Sequence, residues 1–332
     1  MKRRSLTWLL VLMSIALAGS ATAEGGATSL KRIGVVASFG CPVPVTADNP
    51  FRRRLVELGW VEGKNFVFDC VFPMEGRLDQ VNQLAAELVA RHPNVIYAIS
   101  APAVRALKQV TTTIPIVMAG TADPVGLGLV TNLARPEANV TGFAWFGPEI
   151  MPKRVEILKE VLPQMQRFAI IFTAHGDPKL IESLQVNAAI AAKQFGLSFQ
   201  VFLPATPGDY DAIFSQLSDQ HFDAAYIQPN PLAVQNFIRI VELGLRYGVP
   251  TMGDDAIAAR SGLLLSYGGD FPAVAVVRSA DYVDKILRGA KPSELPIEQA
   301  TKLGLTINLK TARALGVTIP PALLARADEV VE

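Results

Sequence analysis

The side chains able to do chemistry are few and scattered. His92, His175 and His221 share no spacing, with one another or with a cysteine, that would gather them round a metal ion. His92 and His221 each stand where a helical pattern ends, an ordinary place for a solvated imidazole near the last helical carbonyls; His175 sits in a loop after a strand. No Gly-x-Ser-x-Gly turn presents a nucleophilic serine and no Gly-Lys-Ser/Thr loop cradles a phosphate. Gly126-x-Gly128 lacks the third glycine with which a dinucleotide-binding turn packs its helix. Asp254 and Asp255 are adjacent, and chain neighbours rarely face one site, so they do not read as an acid–base pair. Asp254 is instead a candidate ligand contact and Asp255 a helix-opening residue. Cys41 and Cys70 lack the Cys-x-x-Cys spacing of redox and zinc sites. In an oxidising compartment a lone pair more often bridges, but the spacing alone leaves the two bonded or free. No enzyme activity, metal or organic cofactor is expected, and non-covalent recognition of a small molecule is the reading that remains.

Recognition needs loops that converge. In an open parallel sheet these are the loops after the carboxyl ends of the strands, where helix amino termini expose N–H groups. In the first half they carry Ser38 and Phe39, then Ser100 and Ala101, then Asp123. In the second half they carry Thr173 and His175, Tyr226 and Asn230, Asp254, and finally Tyr267. Ser100 before a helix with an early proline is placed to cap that helix and offer N–H groups to a carboxylate. Asp123 or Asp254 suits a ligand ammonium group, and Phe39, Trp145, Tyr226 or Tyr267 an apolar ligand body.

The elements that position these loops follow from the hydrophobic pattern. Short apolar runs bounded by turn residues alternate with amphipathic stretches, the sequence form of repeated βαβ units. Strands are predicted at 32–37, 66–72, 95–100, 114–119 and 140–143, with helices between them near 50–58, 78–91, 103–109 and 126–133. The alternation restarts after Phe146, with strands at 168–172, 198–203, 224–228 and 249–252. The fold class is therefore α/β, with two doubly wound parallel-sheet lobes joined by short hinge segments. Residues 256–289 hold too little to fold alone and are assigned back to the first lobe, with the tail crossing to the second. The expected division is 30–145 plus 253–292 against 146–252 plus 293–332.

Composition fits an exported protein. Lys2, Arg3 and Arg4 precede an apolar stretch over 6–18 and the small residues Ala21-Thr22-Ala23, the order of a cleavable secretory leader over 1–23. The stretch is shorter than the roughly 20 residues of a membrane span, and no cysteine follows the small residues to carry a lipid. The chain has 31 basic and 30 acidic residues; loss of the leader leaves 28 against 30, a net charge of about −2, which argues against nucleic acid as a partner. A mature chain of about 309 residues suits two domains.

Several segments carry a resemblance that runs through nearly the whole mature chain. They include Asp123-Pro124-Val125-Gly126, Ala134-Arg135-Pro136 with Asn139-Val140-Thr141-Gly142, Ser266-Tyr267-Gly268, Leu295-Pro296-Ile297-Glu298-Gln299, and Ile307-Asn308-Leu309-Lys310-Thr311-Ala312. In this order they resemble the ABC-importer substrate-binding proteins often described as tryptophan/tyrosine binding proteins. The resemblance implies a type I periplasmic-binding-protein fold with a three-segment hinge. It also implies a monomeric periplasmic receptor that closes on an amino acid or related carboxylate, and a membrane permease and ATPase as partners. A ligand sensor for a membrane receptor is the alternative, and a secreted α/β enzyme a more remote one. Where the family usually has Asn-Pro this chain has Ala174-His175, and where it has Asp-Pro this chain has Asn230-Pro231. Both changes fall in cleft loops, so an aromatic ligand does not follow from the family pattern by itself.

Overall fold

The computed structural model describes residues 30–37, 41, 49–73, 80–136, 138–269, 271–299 and 302–332. The leader expected at 1–23, and Ser38 and Phe39, lie outside the described residues. The first half runs β1 (Lys31–Ala37), α1 (Pro50–Glu57), β2 (Phe66–Val71), α2 (Val81–Val89), β3 (Val95–Ile99), α3 (Ala101–Val110), β4 (Ile116–Ala122) and β5 (Val140–Trp145). The second runs α4 (Met151–Val161), β6 (Arg167–Ile171), α5 (Pro178–Phe195), β7 (Ser198–Phe202), α6 (Asp209–Asp219), β8 (Ala224–Ile227), α7 (Pro231–Gln235), α8 (Phe237–Tyr247), β9 (Thr251–Gly253), α9 (Ala256–Arg260) and β10 (Leu265–Gly268). Then come α10 (Val277–Leu287), β11 (Glu298–Gln299), β12 (Gly304–Asn308), α11 (Leu309–Leu315), α12 (Pro321–Leu324) and β13 (Glu329–Val331).

These strands build two sheets, ordered β11-β5-β4-β3-β1-β2 and β13-β12-β10-β9-β8-β6-β7. All pairings are parallel except β10 with β12. Each sheet has its order reversal at one place, between β1 and β3 in the first and between β6 and β8 in the second. Helices cover both faces, because alternate side chains of each strand point to opposite sides. On β1, Ile33, Val35 and Ala37 enter one core while Val36 enters the other; on β6, Phe168 and Ile170 part from Ala169 and Ile171 in the same way. The chain thus forms two α/β lobes, as read from the sequence, and passes between the sheets after β5, after β10 and after β11.

Two of those passages differ from the expected division. Strand β10, assigned from sequence to the first lobe, lies in the second sheet, parallel to β9 and antiparallel to β12. Strand β11, assigned to the second lobe, pairs with β5 in the first. A four-residue apolar run shows that it is buried but not against which sheet; β10 settles where both of its edges find partners. Helix α10 packs on the first sheet, with Tyr282, Val283 and Ile286 in that core and Asp284 accepting a hydrogen bond from Trp60 Nε1 at 2.8 Å. The helix expected at 126–133 is a series of turns, begun by Asp123, whose Oδ1 accepts the Gly126 N–H at 2.9 Å.

Cys41 and Cys70 form a disulfide across 29 residues, with Cα atoms 6.1 Å apart. It ties the chain beyond β1 to its neighbour strand β2. Among the described residues no helix is long and apolar enough to cross a membrane, and no group of three or more His, Cys, Asp or Glu side chains is placed to hold a metal ion.

Candidate functional site

Between the lobes lies a cleft of about 190 Å³, lined from both sides. The first lobe contributes the start of α3, the end of β4, and Leu127 and Trp145. The second contributes the loops after β6, β8 and β9. Both order reversals, β1/β3 and β6/β8, open toward it, which is where doubly wound sheets leave a crevice beyond their strand ends.

Of the residues marked from sequence, Ser100, Ala101, Thr173, His175, Asn230 and Asp254 line the cleft. Ser100 precedes α3 with φ 100° and ψ 155° and its side chain makes no capping bond to that helix, contrary to the capping role expected from sequence; residues other than glycine avoid this backbone region. Thr173 is buried and its Oγ1 accepts the His175 N–H at 3.3 Å, shaping the turn that leaves the His175 ring exposed at the cleft mouth. Asn230 caps α7: its Oδ1 accepts the Ala233 N–H at 3.1 Å and its Nδ2 donates to Gln228 O at 2.8 Å. That amide fixes the wall rather than reaching freely into the space.

Three marked residues do not line the cleft. Asp123 is exposed and its carboxylate is engaged in capping its own turn. Tyr226, which lies on the buried strand β8 and is fully covered, donates its hydroxyl to Gln228 Oε1 at 2.7 Å beneath the cleft floor. Tyr267 is half-buried against the second-lobe core, and its carbonyl accepts from Arg154 Nε at 3.0 Å. Tyr226 and Tyr267 stand on strands, not loops, and the side chains of all three turn away from the space.

Arg154 escaped the sequence reading because α4, with Lys153, Glu156, Lys159 and Glu160 nearby, looks like a solvated surface helix. It is 1 % exposed. Its guanidinium lies 5.0 Å from the centre of the Tyr226 ring and 3.5 Å from Asp254 Oδ2. Asp254 is equally covered, and burial pushes its carboxyl up to about 7 against the pull of Arg154. Burial likewise holds the Tyr226 phenol well above its ordinary value. Arg154 and this titratable carboxyl thus meet at the base of the cleft with a neutral phenol beside them, a polar floor under an otherwise apolar space.

The walls are apolar. Trp145 and Leu127 come from the first lobe, Phe172 and Leu180 from the second. Phe172 also escaped the reading, since it closes an apolar run and looks like an ordinary core residue. The lobes also touch across the cleft. The Arg105 guanidinium of α3 pairs with the Asp177 carboxylate, which at the same time caps α5 by accepting the Lys179 N–H at 3.0 Å. Leu180, one turn into α5, packs against the cores of both lobes.

Two order-reversal crevices facing one space define a two-lobed binding protein. The sequence matches the family model for the ABC transporter substrate binding protein over residues 33–331, and the chain belongs to that family. The tyrosine-binding protein of Clostridioides difficile (strain R20291) is 24% identical over 292 residues, covering 86% of this chain and 81% of the relative. A conserved domain protein of Vibrio cholerae O1 biovar eltor str. N16961 has a solved structure that is 28% identical with TM-score 0.80, covering 90% of this chain and 99% of its own. The ABC domain of Streptococcus pneumonia in complex with L-Trp is 23% identical with TM-score 0.81, covering 91% of this chain and 100% of its own. The fold is that of the type I periplasmic binding proteins.

Proposed function

We propose that this chain is the extracytoplasmic receptor of an ABC importer, which captures an amino acid with an apolar side chain between its lobes and delivers it to a membrane permease with its ATPase. The observation that carries this reading is the cleft itself: it draws its walls from both lobes, is lined mainly by apolar side chains, and has polar groups at its base and at the start of α3. Such a space suits a ligand with one apolar body and a compact charged end. The relatives that bind tyrosine and L-Trp support the ligand class. The apolar leader pattern and the Cys41–Cys70 bridge support export to an oxidising compartment.

Capture proceeds by closure. A ligand that touches both walls favours the arrangement in which they are near, by as much as its contacts differ between the open and closed forms. The Arg105–Asp177 pair and the Leu180 contact belong to the closed arrangement and add to it. No covalent step is involved. A thermal-shift screen of the chain from Glu24 onward against amino acids, aromatic acids and other small carboxylates tests the reading, because a ligand that binds only the folded state raises the melting temperature. A saturable rise with Trp, Tyr or Phe supports it. A rise confined to sugars or other solutes lacking an amino group refutes the ligand class.

A further inference from the structure

One aromatic ring from each lobe lines the cleft, and against each lies a glycine. Trp145 ends β5 and is 7% exposed. A Cβ built on Gly269, in the passage after β10, would lie 2.6 Å from its indole Cη2, 3.1 Å from Cζ3 and 3.2 Å from Cζ2. On the opposite wall, a Cβ on Gly176 would lie 2.2 Å from Phe172 Cε1 and 2.9 Å from Cδ1. Neither glycine has a left-handed φ, so the backbone does not demand glycine at either place. What excludes a side chain is the ring.

The consequence depends on where a displaced ring can go. Trp145 otherwise packs on Phe143 and Ala275, with the Phe146 ring centre 6.3 Å away. That side is filled, and interiors at crystal-like density do not yield space. The unfilled space beside the indole is the cleft. A methyl group at 269 therefore drives the indole into the volume a ligand would occupy; Gly176 itself lines the cleft, so a methyl there takes up cleft volume directly as well as crowding the Phe172 ring.

We propose that Gly269 and Gly176 are the residues that set ligand size: by carrying no side chain they let Trp145 and Phe172 sit back, so that the cleft accepts an amino acid with a ring-sized apolar side chain. This rests on the reading of the cleft as an amino-acid site. Gly269 acts through the ring in front of it, while Gly176 borders the cleft itself.

The test compares the unaltered chain with Gly269→Ala and Gly176→Ala, all in a Trp60→Phe background so that Trp145 alone reports among the described residues. Acrylamide quenching reads the exposure of Trp145, and calorimetry reads affinity for Ala, Val, Leu, Phe and Trp. Gly269→Ala should increase quenching. It should also weaken binding of Trp and Phe by roughly 10–200-fold, the range for a pocket misfit of about one methyl group, with Ala and Val changed about twofold or less. Trp145→Phe added to Gly269→Ala should restore most of the lost affinity, which general damage to the hinge would not allow. Gly176→Ala should give the same size-graded loss without the change in quenching, and it decides the matter if Gly269→Ala does not fold. Unchanged quenching, or an equal loss for every ligand without rescue, would overturn the proposal. If the unaltered chain binds no amino acid, the ligand reading fails on its own, and the quenching comparison still decides whether Gly269 holds the indole back.

Discussion

At the scale of single residues, the Arg154–Asp254 pair and Ser100 bear the strain of the site. An acid whose folded pKa lies near 7 and whose unfolded value is near 3.9 holds a proton in the native state that the unfolded chain gives up between about pH 4 and 7. Its contribution to stability is therefore full below about pH 4 and is lost as the pH rises to about 7, at no more than about 1.4 kcal/mol per pH unit. Urea unfolding across that window should show a component of this sign that Asp254→Asn removes; parallel curves for the two chains would contradict it. Arg154→Ala should cost about 3–5 kcal/mol at a pH where the Asp254 carboxyl is ionised, because it leaves that buried charge without its partner, and less where the carboxyl holds its proton. Ser100 stands in a backbone region that costs about 1–3 kcal/mol for a residue with a side chain. Ser100→Gly should therefore raise stability by about 1 kcal/mol, after the entropy of the added glycine, while weakening ligand binding. A destabilised Ser100→Gly chain would show that the strain is not there.

At the scale of elements, the Cys41–Cys70 bridge closes a loop across β1 and β2. Reducing it should lower stability by roughly 3–4 kcal/mol on the chain-entropy account, measured by urea unfolding with and without reductant. No change would show that the reduced chain keeps the same strand pairing in its unfolded state. Apart from 126–133, which is a series of turns, the strands and helices of the first two hundred and fifty residues were legible because apolar runs of four to seven residues between turn signals have one economical arrangement, the repeated βαβ unit. The later passages were less so: β10 and β11 are too short for a pattern to name their sheet. The site shows the same division. Ser100, Thr173, His175, Asn230 and Asp254 were legible from loop position. Phe172 and Arg154 were not, because a strand-end ring or a basic residue on an amphipathic helix has the same sequence signature whether it faces the core, the solvent or a cleft. Tyr226 and Tyr267 fail for the converse reason, being near the cleft in sequence and turned to the floor in space.

At the scale of the whole molecule, the claim is that two lobes close on a ligand. The Arg105–Asp177 contact, half-exposed on the arginine side, should contribute modestly, as ion pairs open to water do. Arg105→Ala should weaken ligand binding about two- to fivefold, mainly through faster dissociation, and raising the salt concentration should shrink the difference between the two chains. An unchanged dissociation rate would remove this pair from the closing contacts.

Isothermal titration of the chain from Glu24 onward with L-Trp, L-Tyr and L-Phe decides whether the cleft captures an amino acid. The expected result is saturable binding of one ligand per chain to at least one of them, with a negative heat-capacity change from burial of the apolar side chain, both lost in a chain carrying Trp145→Ala and Phe172→Ala. Absence of saturable heat with all three, or binding that survives the loss of both rings, would contradict it.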